Sequence, residues 1–294
     1  MIRGHQKSEG QGHGQGGALR EFYRRFKKQH LGVTGAIIVV ILFLTALFAP
    51  FLAPSDPQRV DLSNTLAPPS LKHPLGTDHL GRDLLSRVIY GTRIVLIVGI
   101  GSVAISAFFG GLAGLCAGYF GKTADGMIMR CLDVVWAFPP ILLALALVAV
   151  RGASLSTVVL SIAVVGIPGH ARIVRGSVLS IKEKTYIMAA RASGIGHRRI
   201  LFNHILPNIV APVIVVSTLS IAICIMIEAT LSFLGLGMRP PNDSWVFMVS
   251  EGQKYLRTYP YYSLFPGIMI MVVVFAFNVF GDGLRDAWDP RLKT

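Results

Sequence analysis

Six stretches of this chain are apolar for about twenty residues each, the length that a helix needs to cross the hydrocarbon of a bilayer. The first runs from Gly32 to about Phe51 and ends by residue 53. The others run Ile94 to Gly118, Met127 to Val150, Leu155 to about Ile173, Ile209 to Leu236, and Tyr262 to Phe280. The first is too long for a signal-peptide core and has no small-residue cleavage site, so it reads as a permanent span. The expectation is an all-α, polytopic membrane protein with six transmembrane helices.

Charge supports that expectation and orients it. Only 15% of the 294 residues are charged and 52% are hydrophobic, whereas a soluble domain carries about 25% charge. The net charge of +13 would suggest nucleic acid in a soluble protein, but no soluble domain of useful size is left to display it. In a membrane protein, basic residues collect on cytoplasmic loops and face anionic lipid. Arg3, Lys7, Arg20, Arg24, Arg25, Lys27, Lys28, Lys122, Arg130, Arg172, Arg175, Lys182, Lys184, Arg191, Arg198, Arg199, Arg285, Arg291 and Lys293 fall on one side. They outnumber, about two to one, Arg59, Lys72, Arg82, Arg87, Arg93, Arg151, Arg239, Lys254 and Arg257 on the other. With an even number of spans, both termini are expected in the cytoplasm.

The segments between spans differ in kind. Residues 1–18 are rich in Gly, Gln, His and Ser and read as a disordered tail; His5 and His13 fix no metal geometry. Residues 19–31 place Leu19, Phe22 and Phe26 at helical spacing among basic residues. That suits either an interfacial helix on membrane lipid or an extension of the first span. Residues 54–93 form a long outer loop that turns helical near Gly81, with Thr77 or Asp78 as the cap and Asp83 one turn from Arg87. Residues 237–261 form a second long outer loop, and 284–294 a short inner tail beyond the 94–283 core.

The most informative connector is 182–207. A helix-forming stretch, Tyr186 to Ala192, breaks at Gly194-Ile195-Gly196. A second carries Arg198 to Phe202 and is expected to stop at Leu206-Pro207. Two short helices with small residues at the corner suit insertion into a groove on a partner, or a hairpin lying on lipid.

Polar groups inside the spans are few. Glu228 is costly to bury, which raises a functional reading, though a hydrogen bond near the outer end of the fifth span explains it as structure. Arg130 and Asp133 are close enough for a local ion pair. Gly110, Gly114 and Gly118 form a ridge that lets another helix, in this chain or a sister subunit, approach closely. Pro139-Pro140 and Pro168-Gly169 interrupt two spans and can kink them.

Several chemistries are excluded. Cys116, Cys131 and Cys224 lie in or beside apolar segments with no CxxC, so neither disulfides nor a metal site are implied. His73 and His79 share a loop but make an incomplete metal site. Gly118 to Thr123 superficially resembles a phosphate loop, yet Cys116 stands where its first Gly belongs and a helix precedes it. Asn242-Asp243-Ser244 fits a glycosylation sequon that has meaning only in a secretory context. No catalytic constellation is visible, and no cofactor is expected in this chain.

Four motifs in order resemble the inner-membrane permease subunits of bacterial ATP-binding-cassette importers. Met188-Ala189-Ala190, Gly194 and Ile205-Leu206-Pro207 match their Glu-Ala-Ala…Gly…Leu-Pro signature, with Met188 in place of the acid. His73 to Asp78 and Gly81-Arg82-Asp83 resemble the first outer loop of dipeptide, oligopeptide and nickel permeases. Ser232 to Gly237 with Pro240-Pro241 resembles the end of their fifth span, and Gly281 to Asp286 with Asp289-Pro290 their C-terminus. The likeness is to the C-type subunit of the pair.

The resemblance implies a type I importer permease fold in the bacterial inner membrane. It implies a homologous permease partner, two cytoplasmic ATP-binding subunits carrying ATP and Mg, and an extracytoplasmic substrate-binding protein. It makes 182–207 the ATPase-coupling loop and gives Gly76, Thr77, Asp78, Gly81, Arg82 and Asp83 to a loop facing the binding protein. Peptides are the implied substrates, with nickel chelates or glutathione as alternatives. The rival from another class is an ATP-independent secondary transporter, which calls for several midplane ionisable residues and an internal repeat.

Overall fold

A computed structural model describes residues 15–238 and 244–288. Arg3, Lys7, His5, His13, Arg239, Pro240-Pro241, the Asn242-Asp243 half of the sequon, Asp289-Pro290, Arg291 and Lys293 lie outside them.

The described residues are helical, with no strand beyond a single bridge between Thr77 and Asp83. The elements are α1 (Gln15–Lys28), α2 (His30–Leu47), α3 (Ala49–Leu52), α4 (Leu84–Phe120), α5 (Lys122–Trp136), α6 (Pro140–Arg151) and α7 (Leu155–Lys182). They continue with α8 (Thr185–Ala192), α9 (His197–Ile200), α10 (Leu206–Phe233), α11 (Trp245–Gly252) and α12 (Tyr261–Trp288). Five helical runs are long and apolar enough to cross a membrane, and α5 with α6 makes a sixth span bent by 82°. The bend falls at Pro139-Pro140, whose rings cannot continue the α5 hydrogen-bond ladder.

The exposed surface has the character lipid requires. On α2, Ile37, Val40, Ile41, Phe43 and Leu44 are each about half exposed, while Gly32, Gly35, Val39 and Leu42 face inward. The inward face is small because the backbones touch. A Cβ on Gly35 would sit 2.7 Å from the Phe280 nitrogen of α12, and one on Gly32 2.8 Å from the Gly283 Cα.

The 37-residue α4 is the spine. At 1.5 Å per residue it is roughly 55 Å long, more than the ~30 Å hydrocarbon layer, so its ends stand clear of it. The Gly110-Gly114-Gly118 ridge finds its partner within the chain. A Cβ on Gly110 would lie 2.5 Å from the Ile167 carbonyl, one on Gly114 would run into that of Ala171, and one on Gly118 would meet Val178 at 2.8 Å. All are on α7, which runs parallel to α4.

Three apolar clusters join the spans. One ties α2, α4, α10, α11 and α12 around Trp245, Tyr262 and Phe277. A second joins α4, α6, α7 and α10 around Val98, Val148 and Ile162. The third ties α8, α9 and the start of α10 to α4 and α7.

Several boundaries differ from those expected. The terminal helix starts at Gln15, inside the expected 1–18 tail, and Phe22 and Phe26 pack on Trp288 and Phe280 of α12. The helix expected near Gly81 starts at Leu84 and runs without a break past the expected loop end at residue 93, as the first turns of α4. α7 runs on to Lys182, and α12 reaches Trp288, into the expected 284–294 tail. Leu206-Pro207 stops nothing: α9 passes through a π turn, Leu201–Ile205, straight into α10. Pro207 sits in the first turn of α10, where a missing N–H costs little.

Candidate functional site

Motif residues gather at the two ends of the bundle. At one end, the loop from Ser55 to Asp83 folds over the start of α4 around Asp78. Its Oδ1 accepts from the backbone N–H groups of Leu80 (2.8 Å) and Arg82 (2.9 Å). Its Oδ2 accepts from Arg82 Nε and Arg87 Nη1, both at 2.6 Å. Asp78, Arg82 and Arg87 are buried. Two guanidiniums share this carboxylate, and Glu251 of α11 lies 3.8 Å from Arg82. Tyr262 donates to Glu251 at 3.0 Å and its hydroxyl meets His79 Nδ1 at 3.1 Å, which joins both long loops to α12.

Neighbouring residues complete the knot. The Thr77 hydroxyl donates to the Asn64 carbonyl (2.5 Å) and accepts from the Ala67 N–H (2.7 Å). Asp83, not Thr77 or Asp78, is the N-cap of α4: its Oδ2 accepts from the Ser86 N–H at 2.8 Å, and its Oδ1 pairs with His73 at 2.9 Å. Arg87 therefore bonds to Asp78, nine residues back, rather than to Asp83. Gly81, at φ +74, leaves no room for a Cβ against the Asp61 carbonyl. Asp61 itself accepts from Ser63 and Asn64, which holds its carboxyl down at about 2.

Gly76, Thr77, Asp78, Gly81, Arg82 and Asp83 are all buried. They shape the loop from within. Its outward face is carried by Val60, Leu62 and Leu71, which are exposed.

At the other end, α8 and α9 meet at a corner closed by a Schellman motif. Ile195 N–H donates to the Ala190 carbonyl (3.1 Å) and Gly194 N–H to that of Arg191 (3.0 Å), with Gly194 at φ +75. Ile187, Ala190, Ile200, Leu201 and Ile205 are buried against Leu115 and Tyr119 of α4 and Val174, Val178 and Ile181 of α7. Lys182 Nζ donates to the Gly118 carbonyl at 2.7 Å, and Tyr119 Oη bonds to His197 Nδ1 at 2.7 Å. The opposite face is open: Met188, Ala189, Gly194, Arg198, Arg199, Phe202 and Pro207 are exposed, and Leu206 half-buried. The strip is exposed, of mixed charged and apolar character, and fixed from beneath by branched residues.

The intramembrane groups divide. Glu228 is buried and accepts from Ser232 on its own helix (2.8 Å) and from Ser244, the N-cap of α11 (3.1 Å). It ties α10 to the second long loop, as the structural reading expects. Asp133 does not pair with Arg130. Its Oδ1 accepts from Arg172 of α7 at 2.5 Å, because α7 brings a guanidinium across the helix interface. Sequence reasoning missed Arg172 in this role, and also His170, buried on α7 with Nε2 3.4 Å from the Ser217 hydroxyl of α10. Neither pairing has a signal in local spacing.

Comparison with known proteins fits this arrangement. Residues 110–294 match the family described as binding-protein-dependent transport system inner membrane component, and residues 17–69 match the N-terminal TM domain of oligopeptide transport permease C. The chain is 45% identical over 275 residues to the dipeptide transport system permease protein DppC of Alkalihalophilus pseudofirmus, covering 94% of this chain and 90% of that one. It is also 45% identical to the glutathione transport system permease protein GsiD of Pectobacterium atrosepticum, covering 94% and 92%. Among solved structures, an amino acid ABC transporter with histidines aligns at a TM-score of 0.52 and 15% identity, covering 67% of this chain and 92% of that one, a likeness of fold. The chain belongs to the binding-protein-dependent transport family, as a C-type permease subunit of an ATP-binding-cassette importer.

Proposed function

We propose that this subunit imports short peptides, dipeptides foremost, across a bacterial inner membrane, as one half of a passage completed by a homologous permease. The α8–α9 end is cytoplasmic and docks into an ATP-binding subunit; the Asp78 end faces the substrate-binding protein. Both termini are cytoplasmic, in keeping with the basic residues that gather around α8 and α9. ATP and Mg are held by the partner ATPases, and this chain does no chemistry of its own.

The observation that carries the reading is the α8–α9 surface, open on one side and locked by Ile187, Ile200 and Ile205 on the other. A surface so anchored moves as one piece with the ends of α4 and α7. Closure of the ATPases would then be transmitted to the spans as a rigid-body shift, switching the passage between inward-open and outward-open. Met188 in place of the family's acid removes one ion pair from that contact and leaves an apolar anchor.

Relatives that carry dipeptide and glutathione names support a peptide substrate. The test is ATP-driven uptake of labelled dialanine into liposomes containing both permeases, the ATPases and the binding protein. Uptake that requires all components and is competed by other dipeptides supports the reading. Uptake by this chain alone contradicts it.

A further inference from the structure

The span α5–α6 lies apart from both motif-bearing ends. No residue of α5 is buried, and its exposed residues separate into two faces. Met127, Cys131 and Val134 form an apolar face, and Phe138 is exposed just beyond the helix end. Lys122, Gly126, Arg130 and Asp133 form a polar one.

The polar face continues onto α7. Asp133 accepts from Arg172, and the Arg172 guanidinium lies 4.0 Å over the Trp136 ring. The Asp133 and Arg172 side chains are 56% and 41% exposed. Gly169 and Gly176 flank Arg172 on the same face, Gly169 making room for Trp136 and Gly176 opening on empty space.

The cluster belongs to the bent span: Asp133 is on α5, whose other face is apolar, and Arg172 follows Ala171, which packs on Gly114 of α4. Charges so placed are costly against lipid and belong against water.

We propose that this polar face lines the translocation passage, and that Asp133 and Arg172 form a relay point for the charged ends of a zwitterionic substrate. The substrate half rests on the peptide reading above. An incoming ammonium takes Asp133 while the carboxylate takes the Arg172 fork, which Trp136 holds in place. The exchange replaces each partner with a group of the same sign, so neither charge is left unpaired. Once the substrate leaves, the pair closes again.

The test uses the assembled complex with its ATPases and binding protein, with Cys116, Cys131 and Cys224 changed to Ser. Asp133→Cys and Val134→Cys are each exposed to a charged, membrane-impermeant methanethiosulfonate through the nucleotide cycle. The proposal predicts fast labelling of Asp133→Cys in one nucleotide state, slowed by dialanine, and slow labelling of Val134→Cys throughout. Equal, slow labelling of both in every state overturns it. In the native-cysteine complex, Arg172→Gln should raise the KM for dialanine uptake by about tenfold or more, with Arg172→Lys milder. An unchanged KM, or fast labelling indifferent to dialanine in a complex that transports it, overturns the relay. Failure of the unaltered complex to transport dialanine counts against the peptide reading, while the labelling contrast still decides which face lines the passage.

Discussion

At one end of the bundle Asp78 is buried under two arginines; at the other, Arg191, Arg198 and Arg199 stand in the open. Both ends carry family motifs, and both depend on a glycine at positive φ, Gly81 in one and Gly194 in the other. Their environments are opposite. A Cβ on Gly81 meets the Asp61 backbone, whereas one on Gly194 meets nothing within 4 Å. The first motif is spent on holding a long loop to the start of α4. The second is spent on presenting a surface. Motif residues thus mark where a fold is demanding as well as where it presents a surface, and burial tells the two apart.

The contrast breaks first at Asp78. Changing it to Ala leaves Arg82 and Arg87 buried without their shared carboxylate, at a cost of about 3–5 kcal/mol. Loss of the folded subunit from detergent extracts, or a large fall in thermal midpoint, is the expected result. Gly114→Val comes next. Its new side chain drives into the α7 backbone at Ala171 and should cost about 1–3 kcal/mol, lowering the midpoint without touching either end. Gly194→Ala has space but the wrong backbone hand, a penalty of about 1–2 kcal/mol. Here the midpoint should fall less than for Gly114→Val, while ATP-coupled uptake falls more. Met188→Glu is the mildest for stability, within about 0.5 kcal/mol, because the side chain is exposed. It restores the family's acid and should alter ATPase affinity alone, as read by co-purification. Equal stability losses at Asp78 and Met188 would erase the distinction.

The sequence makes the spans legible because lipid demands long apolar runs, and those runs are short-range facts. The bend at Pro139-Pro140 is legible for the same reason. What lies across helices is not. Nothing in the spacing of Arg130 and Asp133 shows that α7 delivers Arg172 instead. Nothing in the Gly110 ridge tells whether α7 or another subunit fills it. The helix after Gly81 is legible, but its partners are not: Arg87 is one turn from Asp83 in sequence, yet Asp78 pairs with it from outside the helix. Leu206-Pro207 reads as a stop because proline usually is one, yet the π turn before it delivers the chain into a first turn that tolerates it. The surface of α8 and α9 was visible from its motif; its anchoring by Ile187, Ile200 and Ile205 was not.

The central claim is that α8–α9 is the contact through which ATP drives this subunit. The direct measurement is site-specific cross-linking in the assembled complex, from Met188→Cys on α8 and, as the control, Leu71→Cys on the far loop. The account predicts a nucleotide-dependent cross-link from Met188→Cys to an ATP-binding subunit and none from Leu71→Cys. A complex that hydrolyses ATP and transports substrate with no cross-link from Met188→Cys, in any nucleotide state, would contradict it.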